Sequence, residues 1–416
     1  MKFLKRLFSK EESLLKDSLY LVIGSIIGGV FNYLFNVSVG RVLGPEQFGI
    51  IISLTALIAI ESTVIGLFGP EIIKNVADYN LKKEKGMISN LLRRYLLHIG
   101  LYGFFGLLLI TLFSKNIAQY MQITDSSLII LTGGLFFFSA LIIVPQSFII
   151  GLQKFKWASL LSILQTTTKF LFALVTLYLG FKVKGLFIGL LIVTIITLII
   201  SFYPIRELFK YKLKEKSYKS SINIKIIIIS LCTVLFFNVD QILIKHFFNE
   251  FSSGLYGATS TIAKIPFFIL NPITLIILSK VSLNNEVNNK KLLKKALLCS
   301  SLIIILFVLG CFIFPELILK ILYGHLYLQG AKILGLLSLS IGLFSLSNML
   351  IFYSMGVSNF KILPLLFFVL LAQIGGIYFY HGSLFQVVAV LCSVNLILFI
   401  SLLVLNKKSY KFLNRV

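Results

Sequence analysis

Acid is scarce in this 416-residue chain: 15 Asp and Glu stand against 39 Lys and Arg, and charged residues of every kind make up only 13%. A water-soluble domain carries about 25% charged residues, so a large hydrated surface is excluded. Tryptophan occurs once and cysteine four times. Cys232, Cys299, Cys311 and Cys392 lie scattered in apolar runs, without metal-ligand or redox spacing, and read as packing residues. The four histidines, His98, His246, His325 and His381, fall near the ends of such runs, and no metal site is expected. No G-x-x-x-x-G-K-[ST] phosphate loop occurs, which argues against an ATP-driven pump. The first apolar run begins near Ser18, is too long for the hydrophobic core of a signal peptide, and has no small-residue cleavage site after it. No polar segment is long enough to fold as a catalytic domain, so an enzyme is not expected.

What fills the chain is hydrophobic residues, 58% of the total. They form twelve runs, near 18–40, 46–70, 94–114, 128–150, 157–180, 185–204, 222–245, 254–279, 296–314, 332–355, 362–380 and 384–405. Each can cross a hydrocarbon core of about 30 Å as a helix. The expected fold class is therefore an all-α polytopic membrane protein of about twelve transmembrane helices. The net charge of +24 suggests a nucleic-acid partner until the charges are placed. Arg41, Lys115, Lys182, Lys184, Lys245, Lys320 and Lys332 fall on one side of the membrane, and Lys169 and Lys264 lie inside runs. All other basic residues gather on the opposite side. By the positive-inside rule both termini are cytoplasmic. The basicity is thus a topology signal and an attraction for the lipid bilayer, with no nucleic acid implied.

Two loops repeat each other. Gly151-Leu152-Gln153-Lys154-Phe155-Lys156 and Gly356-Val357-Ser358-Asn359-Phe360-Lys361 both read G-x-x-x-F-K, 205 positions apart, and at the same offset Gly49 falls on Gly254. Shifting the register by one residue brings Arg41 and Glu46 onto Lys245 and Glu250. The repeat predicts two pseudo-symmetric six-helix lobes in parallel orientation. The expected organisation is an amphipathic cytoplasmic segment 1–17, an N-lobe 18–204, a basic cytoplasmic linker 205–221, a C-lobe 222–405 and a basic tail 406–416. Pro145, Pro204, Pro266, Pro272 and Pro364, in or at the ends of runs, mark kinks that serve either motion or packing.

Three stretches resemble the polysaccharide flippase family, the Wzx-type O-antigen and capsule transporters of the multidrug/oligosaccharidyl-lipid/polysaccharide exporter superfamily. Gly40 to Gly49 (GRVLGPEQFG) is similar to the family's R-x-L-G-P-x-x-F-G loop. Phe237-Asn238-Val239-Asp240-Gln241 followed by Gly254-Leu255-Tyr256-Gly257-Ala258 is similar to its N-x-D and G-x-Y-x-x-A stretches, with the alanine one place early. Gly151 to Lys156 is similar to its G-x-x-x-F loop. The resemblance implies two six-helix lobes opening alternately to either side of a bacterial cytoplasmic membrane. It also implies flipping of a polyprenyl-diphosphate-linked oligosaccharide to the outer leaflet for O-antigen, lipopolysaccharide or capsule synthesis, beside polysaccharide polymerase and chain-length proteins. Two alternatives stand. One is a drug or metabolite exporter of the same superfamily, which the basic residues inside spans disfavour. The other is a membrane-embedded polymerase or ligase, whose usual large outward loop is missing here.

A diphosphate needs cations at membrane depth and a sugar needs hydroxyl, amide and aromatic groups, while ionisable residues inside spans mark function by default. Lys169, preceded by Gln165 and three threonines, and Lys264 are candidate phosphate partners, with a snorkelling or structurally paired lysine as the alternative. Arg41 is a candidate for diphosphate on exit or an interfacial anchor, and Asn32 and Asn36, one helical turn apart, are sugar-binding candidates. Glu61 and Asp240 are candidates for coupling to a proton or sodium gradient. No cofactor is expected.

Overall fold

The computed structural model describes residues 2–66, 68–211, 224–280 and 286–413, and these are almost entirely helical, without strands. Among the described residues ten helices are long and apolar enough to span a bilayer. Two further spans are hidden by helix merging and breaking. The helix α1 (Lys2–Gly66) contains two spans joined at a kink, where Gly44 takes φ 76° and Pro45 follows. Gly44 can adopt that left-handed backbone because it has no Cβ. The 254–279 run is instead split, as described below. Among the described residues, all twelve expected hydrophobic runs fall on helices. Neither glycine nor proline occurs before Gly24, and residues 2–17 continue into the first span as one helix.

The chain divides into two compact units: residues 1–42 with 61–222, and residues 43–60 with 223–416. Residues 43–60, the start of the second apolar run, thus group with the C-terminal half.

In the first unit α2 (Phe68–Leu81), α3 (Lys85–Leu112), α4 (Ser114–Tyr120), α5 (Ser127–Gly151), α6 (Phe155–Tyr178) and α7 (Val183–Phe202) follow the first limb of α1. At the centre lies α5, packed against α2, α3 and α7. Its small residues Thr132, Gly133 and Ala140 are buried and admit close neighbours. On α3, Leu97, Leu101, Phe104, Phe105, Leu108 and Leu112 form an exposed apolar stripe fit for lipid. A 3-10 helix, Tyr203–Lys210, is held to α3 by Arg93 Nη2 donating to Phe209 O at 3.2 Å. Lys154 Nζ donates to Pro204 O at 2.6 Å. The first residues of the basic linker are thereby folded, whereas 212–221 lie outside the described residues.

The second unit holds α8 (Ile224–Phe247), α9 (Glu250–Ala263), α10 (Ile265–Lys280), α11 (Glu286–Ile313), α12 (Pro315–Leu322), a 3-10 turn (His325–Gly330), α13 (Ala331–Gly356), α14 (Ile362–Phe379) and α15 (Leu384–Leu413). Here α13, the repeat mate of α5, is central and packs against α9, α10, α11 and α15. Close approach again relies on small residues: Gly335 faces Phe312 and Gly342 faces Ile304, where a Cβ would collide. The stripe on α3 recurs on α11 as exposed Leu298, Leu302, Ile305, Leu306 and Leu309.

The repeat is structural as well as textual. Both G-x-x-x-F-K loops turn through a non-glycine residue with positive φ, Gln153 at 59° and Ser358 at 54°. In each, the next amide reaches five residues back, Lys154 N to Ile149 O at 2.9 Å and Asn359 N to Ser354 O at 2.8 Å. This is a helix C-terminal turn that satisfies the last carbonyls. The paired glycines meet each other. A Cβ on Gly49 would stand 2.7 Å from Glu250 O and from Gly254 N, and one on Gly254 would overlap the carbonyl of Pro45. The backbones of residues 45–49 and 250–254 therefore touch directly, which side chains at these two positions would forbid.

Candidate functional site

Each unit carries its own polar cluster at membrane depth. In the first, glycines let α1 approach α6. Gly28 faces Ser162 and Thr166, and Ser159, opposite Gly24, donates its Oγ to Tyr20 O at 2.7 Å. Ring contact between Phe31 and Phe170, with centroids 5.8 Å apart, continues the seam. One turn deeper, Lys169 Nζ donates to Asn32 Oδ1 at 2.9 Å and stands 4.1 Å above the Phe35 ring centroid. Asn36 Nδ2 donates to the Asn32 main-chain carbonyl at 2.8 Å, one turn further along α1, so the ammonium itself is bonded by Asn32. Gln165 lies one turn before Lys169 on the same face. Lys169 is partly exposed and Asn32 exposed, and the ammonium is held by an amide and an aromatic face.

Three of the expected candidates, Lys169, Asn32 and Asn36, are thus brought together, with Gln165 at their edge. Arg41 is exposed and lies nine residues along α1 from Asn32, about 13 Å by helical rise, apart from the cluster. Glu61 is partly buried, and its Oε2 finds no hydrogen-bond partner among the described residues.

The second unit places Asp240 and Lys264 on one cavity of about 20 Å³, with Phe237, Ser340 and Asn395 among its lining residues. Lys264 sits where the 254–279 run breaks into α9 and α10, because Pro266 cannot supply the amide that Ile262 O would accept. Such breaks are tolerated at membrane depth where the freed groups face protein or a cavity. Tyr256 Oη donates to Asp240 Oδ2, while Asp240 Oδ1 has no partner among the described residues. Lys264 Nζ donates to Phe237 O at 3.0 Å and lies 4.2 Å above the Phe237 ring centroid. With the Gln241 amide oxygen turned toward the ammonium, Nζ to Oε1 is 2.9 Å, Ser260 Oγ donates to the same oxygen at 3.3 Å, and Gln241 Nε2 donates to Ile52 O at 3.3 Å. Asn395 Nδ2 donates to Ser340 Oγ at 2.8 Å, and Gln373 Nε2 to Phe236 O at 3.1 Å.

Lys264, expected beside Lys169 as a phosphate partner, is therefore enclosed within the second unit, 6% exposed, with protein acceptors around it. Sequence reasoning missed Tyr256, Ser260 and Gln241 as its companions. The available signal was the spacing of Tyr256, Ser260 and Lys264, four apart and so on one helical face.

The fold has counterparts among solved membrane proteins. An inward-facing multidrug resistance MATE family transporter of the MOP superfamily matches with a TM-score of 0.74 at 15% identity, over 94% of this chain and 99% of that one. Lipid II flippase MurJ in an inward closed conformation matches with 0.70 at 17% identity, over 94% and 87% of the two chains. An uncharacterized membrane protein of Methanocaldococcus jannaschii is 26% identical over 346 residues, which cover 79% of this chain and 81% of its own. The sequence profile described as polysaccharide biosynthesis protein matches residues 14–278, more than half of the chain, and the protein belongs to that family.

Proposed function

We propose that the protein is a flippase that carries a polyprenyl-diphosphate-linked oligosaccharide from the inner to the outer leaflet of the cytoplasmic membrane for surface polysaccharide synthesis. In this reading it is a Wzx-type transporter for O-antigen or capsule, driven by an ion gradient. The single observation that carries the proposal is Lys169: a partly exposed basic residue inside a span, bracketed by Asn32 and Phe35 in a strip that includes Asn36, Gln165 and Thr166. An ammonium suits a diphosphate as a point charge, and the amides suit sugar hydroxyls. Membership in the polysaccharide biosynthesis protein family supports the class of cargo, and the likeness to a flippase fold supports the direction of movement. A multidrug transporter shares the fold. A fixed cation in the binding strip repels the cationic amphiphiles such exporters would carry.

The test is transport by the purified protein in liposomes loaded with polyprenyl-diphosphate oligosaccharides, read by a sugar-specific probe outside the vesicle. Protein-dependent crossing that is lost in Lys169→Ala supports the proposal. Efflux of a small cationic dye without movement of several oligosaccharides would assign the protein to drug export.

A further inference from the structure

The cluster in the second unit has a chemistry different from that of the Lys169 strip. Its oxygens, from the Asp240 carboxylate, the Phe237 carbonyl and the Gln241 and Asn395 amides, are of the kind that coordinate a hard cation. At the centre of the Phe237 and Gln241 acceptors stands an ammonium belonging to the chain itself, Lys264. One oxygen of Asp240 is fixed by the Tyr256 hydroxyl, and the other is buried and unpartnered on the wall of a cavity. That cavity, about 20 Å³, has room for one water molecule. An unpartnered buried acceptor is costly, and the open oxygen is where a proton would complete the bonding.

We infer that Asp240, Tyr256 and Lys264 form a proton-exchange site in which Lys264 occupies the place of a metal cation, so that the ion linked to transport is H+ and not Na+. In the exchange, water brings a proton to Asp240 Oδ1. An O–H bond of hydronium breaks, an O–H bond to Oδ1 forms, and Tyr256 keeps its proton while donating to Oδ2. The cluster passes from neutral, with Asp240 and Lys264 both charged, to a net positive charge within the span. That is costly in a low-dielectric medium, so proton uptake favours any conformation that lets the Lys264 ammonium reach water or an anion.

The groups facing Asp240 are few. Tyr256 of α9 bonds one of its oxygens, and Lys264 at the C-terminal end of α9, Ser340 of α13 and Asn395 of α15 line the same cavity, while Gln373 of α14 is turned to Phe236 O. Further along α8, Lys245 is paired with Glu250 at 3.7 Å. Among the described residues no second acid lines the cavity.

The inference rests on the reading of the protein as an ion-driven transporter, but its first test does not depend on transport. Thermal unfolding of the purified protein is compared in NaCl, KCl and choline chloride. The wild type is expected to show no sodium-specific rise in midpoint, whereas Lys264→Ala empties the oxygen cage and gains one. A sodium-specific rise in the wild type overturns the inference. Infrared difference spectra across a pH jump supply the second test. A protonated-carboxyl band is expected, absent in Asp240→Asn and shifted in frequency in Tyr256→Phe, where the bond to Oδ2 is gone. A band unaffected by both substitutions overturns the assignment to Asp240. Flipping in vesicles with an imposed pH gradient or sodium gradient completes the set, and acceleration by sodium alone also overturns it. Failure of flipping under every gradient, with the infrared and ion-specific results as expected, would discard the transport reading while the proton site stands.

Discussion

Replacing Gly254 by alanine probes the tightest packing in the molecule. The new Cβ would overlap the Pro45 carbonyl and stand 2.7 Å from Pro45 Cα, atoms of the main chain that no rotamer change can move aside. Ordinary contact begins at 3.4 Å, so residues 45–49 and 250–254 would have to part by on the order of 1 Å, with loss of dispersion contact along the crossing. Overpacking of this kind costs about 1–3 kcal/mol. The gain in helix propensity from glycine to alanine returns at most about 1 kcal/mol. A net loss of about 1 kcal/mol is therefore expected. Two controls separate the crossing from glycine replacement in general. Gly257→Ala meets only side-chain atoms of Ile52, the nearest at 3.1 Å, and Gly310→Ala meets nothing within 4 Å. The unit supplies its own reporter, since Cys232 and Cys311 are buried while Cys299 is exposed. A thiol-reactive dye, after Cys299 and the half-buried Cys392 have been blocked in the folded state, follows thermal unfolding in detergent. Gly254→Ala should expose the buried thiols at lower temperature than wild type, Gly257→Ala should fall between, and Gly310→Ala should match or exceed wild type. Equal midpoints for all four proteins would refute the claim that main chain touches main chain here.

The repeated left-handed turns give a second prediction: Gln153→Gly and Ser358→Gly should each stabilise by up to about 1 kcal/mol, because a side chain at positive φ is disfavoured, as read by the same thermal assay. Asp125, in the loop before α5, accepts from Ser127 N at 2.9 Å, and the Ser127 hydrogen bonds, helped by Lys184 at 3.4 Å, hold its carboxyl below the ordinary value. A lowered value means stability that is present above the unfolded-state value and lost as pH falls through the folded one. The midpoint difference between wild type and Asp125→Asn should therefore shrink as pH is lowered through the acid carboxylate range, and a constant difference would contradict the pairing. In transport, Lys169→Arg should keep part of the activity that Lys169→Ala loses, since it preserves charge but alters the fit over Phe35.

Much of this architecture was readable from hydrophobic length alone, because a lipid-spanning helix must be apolar over its whole run. The kink at Gly44-Pro45 and the break before Pro266 follow from local backbone chemistry in the same way. The repeat was readable because a turn with positive φ recurs at the same offset in both halves. What stayed hidden was pairing. Asn32 and Lys169 lie 137 positions apart, and only the glycine seam between α1 and α6 brings them together. Lys264 looked like a twin of Lys169 because both are lysines at membrane depth, yet Lys169 is partly exposed and Lys264 is sealed among Phe237, Gln241 and Asp240. No periodicity in a helix that is hydrophobic on all sides tells which face meets protein and which meets lipid. Glu61 illustrates the remainder, since its place inside an apolar run was evident from the sequence, but that its Oε2 has no hydrogen-bond partner among the described residues required the folded chain.

The central claim is that Lys169 serves a diphosphate during lipid-linked sugar transport. It is tested most directly by the rate at which a polyprenyl-diphosphate oligosaccharide crosses vesicles containing wild type, Lys169→Ala or Lys169→Arg. Loss of a charge-assisted contact worth about 1.5–3 kcal/mol predicts that Lys169→Ala slows crossing about tenfold to a hundredfold, with Lys169→Arg between it and wild type. Crossing by Lys169→Ala at the wild-type rate, with equal protein in the vesicles, would contradict the claim.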